Sequence, residues 1–132
     1  NHLQSLERAK KLIDVAAESK VDAVKIQTYT PDTLSIESNL PWFKIDSNCP
    51  WKGRSFYELY KTTYMPWEWY PVLQKHAEKQ GVLLFSSPFD ETAVDFLESM
   101  NAPVYKVASF ELVDTKLLEK ITAKNSRAYA VF

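Results

Sequence analysis

From Ser5 to Ile121 the sequence alternates between helix-spaced apolar residues and short β-rich runs, an order that few folds accommodate. Ser5 is placed to cap a helix in which Leu6, Ala9, Ile13, Ala16 and Ala17 recur at helical spacing, with charges between them. A strand is expected next, from Val21 to Tyr29, with Val24 and Ile26 on one face. Thr30-Pro31-Asp32 then opens an irregular stretch rich in Ser, Asn and Pro that runs to about Arg54. Loops of that length inside a compact domain are usually functional.

Ser55 to Tyr64 reads as a short helix, and Pro66 suits the first turn of another that continues through Trp69, Leu73, His76 and Ala77 to Gly81. Val82 to Ser87 is a second strand. Asp90 caps a helix with Ala93, Phe96, Leu97 and Met100 on its core face, and Val104 to Phe110 is a third strand. Asp114 caps a last helix with Leu117, Leu118 and Ile121 inward, and Ala128 to Phe132 starts a fourth strand.

Alternation of this kind argues for an α/β fold of right-handed βαβ units around a parallel sheet. An open doubly wound sheet and part of a (β/α)8 barrel both satisfy it. A complete barrel takes about 250 residues, so 132 residues supply about half of one. The chain is read as a single, incomplete domain over residues 1–132.

Composition removes several functional classes. A net charge of −1 provides no basic field for nucleic acid or an anionic membrane. With only 2 glycines there is no Gly-rich phosphate loop of the Rossmann or P-loop kind. Cys49, the single cysteine, cannot form an internal disulfide. No apolar run is long enough to span a bilayer and no signal-peptide pattern opens the chain, so a cytoplasmic location is expected.

A parallel strand covered on both faces is nearly all apolar, and two of these strands depart from that in the same way. Lys25 and Gln27 fall on the face opposite Val24 and Ile26, and Lys106 interrupts Val104-Tyr105-Lys106-Val107 similarly. A buried lysine needs a partner or a lowered pKa. Each lysine could pair with a carboxylate or reach the rim. Two of them beside the hydroxyls of Thr28, Ser86, Ser87 and Ser109, at strand C-terminal ends, favour an anion site of the kind a phosphorylated carboxylic acid fills. Glu111, just after the third strand, is either an acid, base or sugar ligand or a solvated loop charge. Trp42 and Trp51 in the long loop, together with Tyr57, are candidate platforms for a sugar ring, whereas Trp67 and Trp69 read as core cover. His76 falls in a helix pattern as a structural or exposed residue, Cys49 lacks an activating base, and no metal motif is present.

Several of these segments together resemble the sialic acid synthase family. They are Asn1-His2 before Ser5-Leu6, Val24-Lys25-Ile26-Gln27-Thr28, Phe85-Ser86-Ser87-Pro88-Phe89, and Tyr105-Lys106-Val107-Ala108-Ser109-Phe110-Glu111. Within the family, Tyr29-Thr30-Pro31-Asp32-Thr33-Leu34, Tyr57-Glu58-Leu59-Tyr60 and Pro66-Trp67-Glu68-Trp69 are most similar to pseudaminic acid synthases. The resemblance implies a partial TIM barrel, roughly its strands 2 to 4 with their helices, from an enzyme that condenses phosphoenolpyruvate with an amino sugar and releases phosphate. It implies that Lys25, Ser87, Lys106 and Ser109 hold phosphoenolpyruvate. Glu111 would lie at the reacting carbons, with Gln27, Trp51 and Tyr57 towards the sugar. It further implies a divalent metal (Mn2+ or Mg2+) and a homodimer for the complete enzyme. The first barrel strand is then expected before Asn1, and the strands bearing the metal-binding histidines after Phe132. Met65 stands where the family has threonine, which predicts a weaker cap for the helix after Pro66. A Schiff-base aldolase with Lys106 as nucleophile, and a non-catalytic barrel fragment that pairs with another copy, remain as alternatives.

Overall fold

The computed structural model describes residues 2–123 and, for the backbone, 128–130. Helix α1 (Leu6–Glu18) starts where Ser5 accepts a hydrogen bond from the Arg8 amide. Strand β1 (Ala23–Thr28) follows. The long loop holds one α-helical turn, α2 (Pro31–Leu34), which Thr30 and Thr33 close as a capping box, and a 3-10 turn, Pro41–Phe43. Helix α3 (Phe56–Thr63) is capped reciprocally by Ser55 and Glu58. Next come α4 (Tyr70–Lys79), β2 (Leu83–Pro88), α5 (Glu91–Ser99), β3 (Tyr105–Val107), α6 (Thr115–Ala123) and β4 (Ala128–Ala130).

The strands form one parallel sheet in the order β1-β2-β3-β4. Sequential parallel strands joined through helices are the arrangement the alternation predicts. Side chains of one parity, Val24, Ile26, Leu84, Tyr105 and Val107, meet the apolar faces of α1, α4, α5 and α6 in a single core. Tyr70, Ala77, Val94 and Leu97 in that core are fully buried. The opposite parity carries Lys25, Gln27, Leu83, Phe85, Ser87 and Lys106. No helix covers that face among the described residues, and Leu83 remains 45% exposed.

The elements differ from the sequence reading chiefly at their ends. The first strand spans Ala23–Thr28 rather than Val21 to Tyr29. The third is shorter than Val104 to Phe110, because the chain turns into a 3-10 segment, Ser109–Val113. After Pro66 the chain makes a 3-10 turn, Trp67–Trp69, before α4 begins, and neither Pro66 nor Trp69 supplies a side-chain cap. Met65 instead fills the core at 5% exposure. Helix α4 stops at Gly81, whose φ of +73° suits glycine. Asp90 and Asp114 cap α5 and α6 as expected. Asn1 and the end of the expected fourth strand, residues 131–132, lie outside the described residues.

His76 on α4 bonds Asp14 on α1 across 2.6 Å, clamping the two helices together and giving the histidine a structural role. Leu97 has no exposed surface, so truncation leaves a cavity. Leu97→Ala is expected to lower the urea-unfolding free energy by about 2–5 kcal/mol. Val72→Ala, at a position 41% exposed, should stay within about 0.5 kcal/mol of the parent chain.

Candidate anion-binding site at the strand ends

Parallel pairing sets Lys25 beside Phe85 and Gln27 beside Ser87. Paired residues in parallel strands point to the same face. Tyr105 pairs with Ser86 on the helix side, so Lys106, one residue on, shares the open face with Ser87. The pleat thus gathers Lys25, Gln27, Ser87 and Lys106 on one surface.

The electrostatics agree with this placement. The Lys25 ammonium is held below the ordinary lysine range, first by partial desolvation and then by repulsion from Lys106. Neither lysine forms a salt bridge among the described residues. Ser87 is 1% exposed, yet its Oγ has no hydrogen-bond partner. Glu111, in the turn after β3, likewise has a buried Oε2 with no partner. Unpaired polar atoms out of water are costly. A hydroxyl without an acceptor and two like charges without an anion are what an anionic ligand would satisfy together. Ser109 is exposed at the start of the same turn as Glu111.

Thr28 and Ser86, expected in the cradle, are turned the other way. Their parity points them to the helix layer, where their hydroxyls bond each other at 2.7 Å and Ser86 also donates to the Ile26 carbonyl. Alternation along the strand allows only one of two successive serines to face the ligand side.

Tyr57 is buried in the loop–α3 junction and donates its hydroxyl to Asp32 at 2.8 Å, with Lys61 over its ring. That carboxylate keeps the phenol protonated above its ordinary range. Trp51 is 43% exposed in a turn closed by an antiparallel neck, where Ile45 exchanges backbone hydrogen bonds with Gly53 and Arg54. Gly53 sits there at φ +85°. Among the described residues, no hydrogen bond or ring contact joins Trp51 or Tyr57 to Lys25, Gln27, Ser87 or Lys106. Tyr57 thus ties α3 to the loop through Asp32, and Trp51 is an exposed side chain at the loop's end. Cys49 accepts a hydrogen bond from Ser47 at 3.1 Å.

Two features escaped the sequence reading. A cleft of about 280 Å³ follows the edge of β1, from Val24 and Ile26 on the helix side to Lys25 and Gln27 on the other. His2 lines it with its ring edge against Trp69, and burial lowers the imidazole pKa. Phe110 stands 91% exposed between Ser109 and Glu111; its excess of apolar surface at a strand end is a signal visible only once the strand is known to end at Val107. No three His, Cys, Asp or Glu side chains gather to hold a metal among the described residues. No helix among them is long and apolar enough to cross a membrane.

A parallel sheet with helices on one face and polar side chains on the other is the architecture of a segment of an α/β barrel. The NeuB family model matches residues 12–129, and the chain belongs to that family. Pseudaminic acid synthase of Helicobacter pylori is 43% identical over 120 residues, covering 91% of this chain and 35% of the relative. Human N-acetylneuraminate-9-phosphate synthase is 32% identical over 133 residues, covering 99% of this chain and 36% of its own. The chain thus spans about a third of the length of these relatives. Among solved structures, a sialic acid synthetase of Leptospira borgpetersenii in complex with citrate superposes with a TM-score of 0.79 at 23% identity. That match covers 98% of this chain and 40% of the other, and it establishes the TIM-barrel-type fold.

If repulsion from Lys106 contributes to the depressed pKa of Lys25, Lys106→Met should raise it. The rise should stop short of the ordinary lysine value, because desolvation, the larger cause, remains. A side-chain NMR titration of Lys25 in both chains would read this directly, and an unchanged midpoint would show that the two ammoniums do not face each other.

Proposed function

We propose that this chain contributes the phosphoenolpyruvate-binding part of a nonulosonic acid synthase, an enzyme that joins phosphoenolpyruvate to an amino sugar and releases phosphate. The observation that carries the reading is the convergence of Lys25 and Lys106 on the face that also holds the unpartnered Ser87 hydroxyl. Membership of the NeuB family and similarity to pseudaminic and sialic acid synthases support it.

In this reading Lys25, Lys106, Ser87 and Ser109 hold the phosphate and carboxylate, and so orient the alkene. The C3 carbon of phosphoenolpyruvate attacks the aldehyde carbon of the open-chain sugar. Positive charge develops at C2 and negative charge on the aldehyde oxygen, which takes a proton. Water then adds at C2, and the carbon–oxygen bond to phosphate breaks. Glu111, beside the cradle, is the group of this chain placed to move a proton at the reacting carbons. Gln27 extends the polar surface towards the sugar. A divalent metal would polarise the aldehyde in the complete enzyme. The described residues do not gather a ligand set for it, and no step assigned to this chain passes through it. The active assembly is proposed to be a homodimer in the cytoplasm.

Calorimetric titration of the folded chain with phosphoenolpyruvate tests this. Binding is expected, with Lys25→Ala and Lys106→Ala each at least about tenfold weaker while their unfolding transitions are kept. An anion favours the charged form of Lys25, so binding should weaken as pH rises through its depressed pKa. Equal binding by both variants would sink the proposal. No binding by the folded parent chain would mean that the cradle is not formed by these residues alone.

A further inference from the structure

Behind the sheet, α1 and α4 pack side by side and leave a cleft of about 390 Å³ on their outer surface. Lys10, Pro71, Val72, Lys75, His76 and Lys79 line it, so it holds four basic side chains and no acidic one. Both helices that build it belong to this chain. On α4, Val72, His76 and Lys79 recur at helical spacing with Lys75 beside them, which places all four on one face. Lys10 comes from α1, one turn before Asp14.

Cations near a helix C-terminus offset the dipole, which accounts for His76 and Lys79 in the last turn of α4. It accounts for neither Lys75 nor Lys10, which belongs to the other helix. Lys10 reaches Glu7 at 2.8 Å, whereas Lys75 and Lys79 form no ion pair among the described residues. His76 bonds Asp14 through Nε2, and its Nδ1 has no partner among the described residues. A carboxylate only accepts, so the proton of the neutral ring sits on Nε2. Nδ1 is then a lone pair in the neutral ring and an N–H donor in the cation.

We propose that this cleft binds a phosphate-bearing small molecule. Its phosphate sits among Lys10, Lys75, Lys79 and the Nδ1–H of protonated His76, and its remainder lies against Pro71 and Val72. Bound there, it bridges α1 and α4 beside the Asp14–His76 clamp and tightens the two helices whose Ile13 and Leu73 back β1. The carbonyl end of α4 opposes an anion with about half an elementary charge, less than the lysines supply. The site lies on the helix side of the sheet, opposite Lys25 and Lys106, and does not depend on them. His76 shares its surroundings with Asp14 and Lys10 from α1 and with Lys75 and Lys79 from its own helix. Strand β2, which also packs on α4, has no titratable residue, and Glu68 lies about two turns before His76.

The test is an amide NMR titration of the folded chain with sulfate, whose charge does not change while a histidine titrates. Saturable shifts are expected at Lys10, Lys75, His76 and Lys79, with affinity rising from about pH 8 to about pH 6 as Nδ1 gains its proton. At a single pH, phenyl phosphate should bind more tightly than inorganic phosphate, because its ring covers Pro71 and Val72. Lys75→Ala combined with Lys79→Ala should weaken sulfate at least about tenfold. Both lysines are exposed, so the double variant should unfold as the parent does and keep any response at Lys25. Shifts that never saturate, equal binding by the double variant, or an affinity indifferent to pH would each overturn the proposal. Shifts confined to Lys25 and Lys106 would assign the anion to the strand ends and overturn it as well. So would a response to phosphatidylglycerol vesicles with none to sulfate, which would make the cleft a membrane contact.

Discussion

The parallel register between β1 and β2 is the constraint on which the remainder rests. Val24 lies beside Leu84 and Ile26 beside Ser86, while Lys25 lies beside Phe85 and Gln27 beside Ser87. A slip of one residue would drive Lys25 into the helix layer and lift Val24 out of it. Burying an unpaired ammonium among Ile13, Leu73 and Leu97 costs several kcal/mol, so the apolar core and the polar face enforce one another. The hydroxyl pair of Thr28 and Ser86 strengthens the same register, because 2.7 Å between their oxygens ties Thr28 diagonally to Ser86, the partner of Ile26 two residues before it.

That sorting creates the site without any residue being strained into it. Lys25 and Lys106 come from strands with β2 between them, and both extend from the one face left free of helices. Their repulsion is tolerated because Lys25 remains largely exposed. Ser87 and Glu111 retain unpaired oxygens nearby. In the proposed reading an anion would satisfy the two ammoniums and the Ser87 hydroxyl, whereas the Glu111 oxygen calls for a proton or a donor. A site prepared in this way holds its groups in place before the ligand arrives, so little reorganisation is needed at binding.

The long loop contributes by being tied down. Its ends are fixed by capping boxes at Thr30 and Ser55, by the Tyr57 hydroxyl on Asp32, and by the Trp67 indole on the Tyr29 carbonyl. The capping boxes are local, whereas the Tyr57 and Trp67 hydrogen bonds join residues far apart in sequence. They explain why an aromatic-rich segment that reads as a ligand platform serves partly as a brace.

Much of this was legible in the residue order. Helical spacing, Ser5, Ser55, Asp90 and Asp114 as caps, and lysines interrupting apolar strands are local signals, and local chemistry decides them. Parity alone distinguished Lys25 from Val24. By the same parity Thr28 belongs with Val24 and Ile26, but whether Ser86 or Ser87 faced the lysines could not be read, since two successive serines look alike until pairing assigns each a face. Nor could the shortening of β3 to Tyr105–Val107 be read, because it depends on the turn that carries Glu111 inwards and leaves Phe110 out. Tyr57 became a brace only through Asp32, which lies 25 residues away in sequence. The sequence by itself determined the alternating elements, their caps and the cationic strand residues, because these depend on neighbours a few positions apart. Tertiary structure alone decided which of the two serines shares a face with the lysines and which aromatic rings stay free, because those depend on contacts between segments distant along the chain.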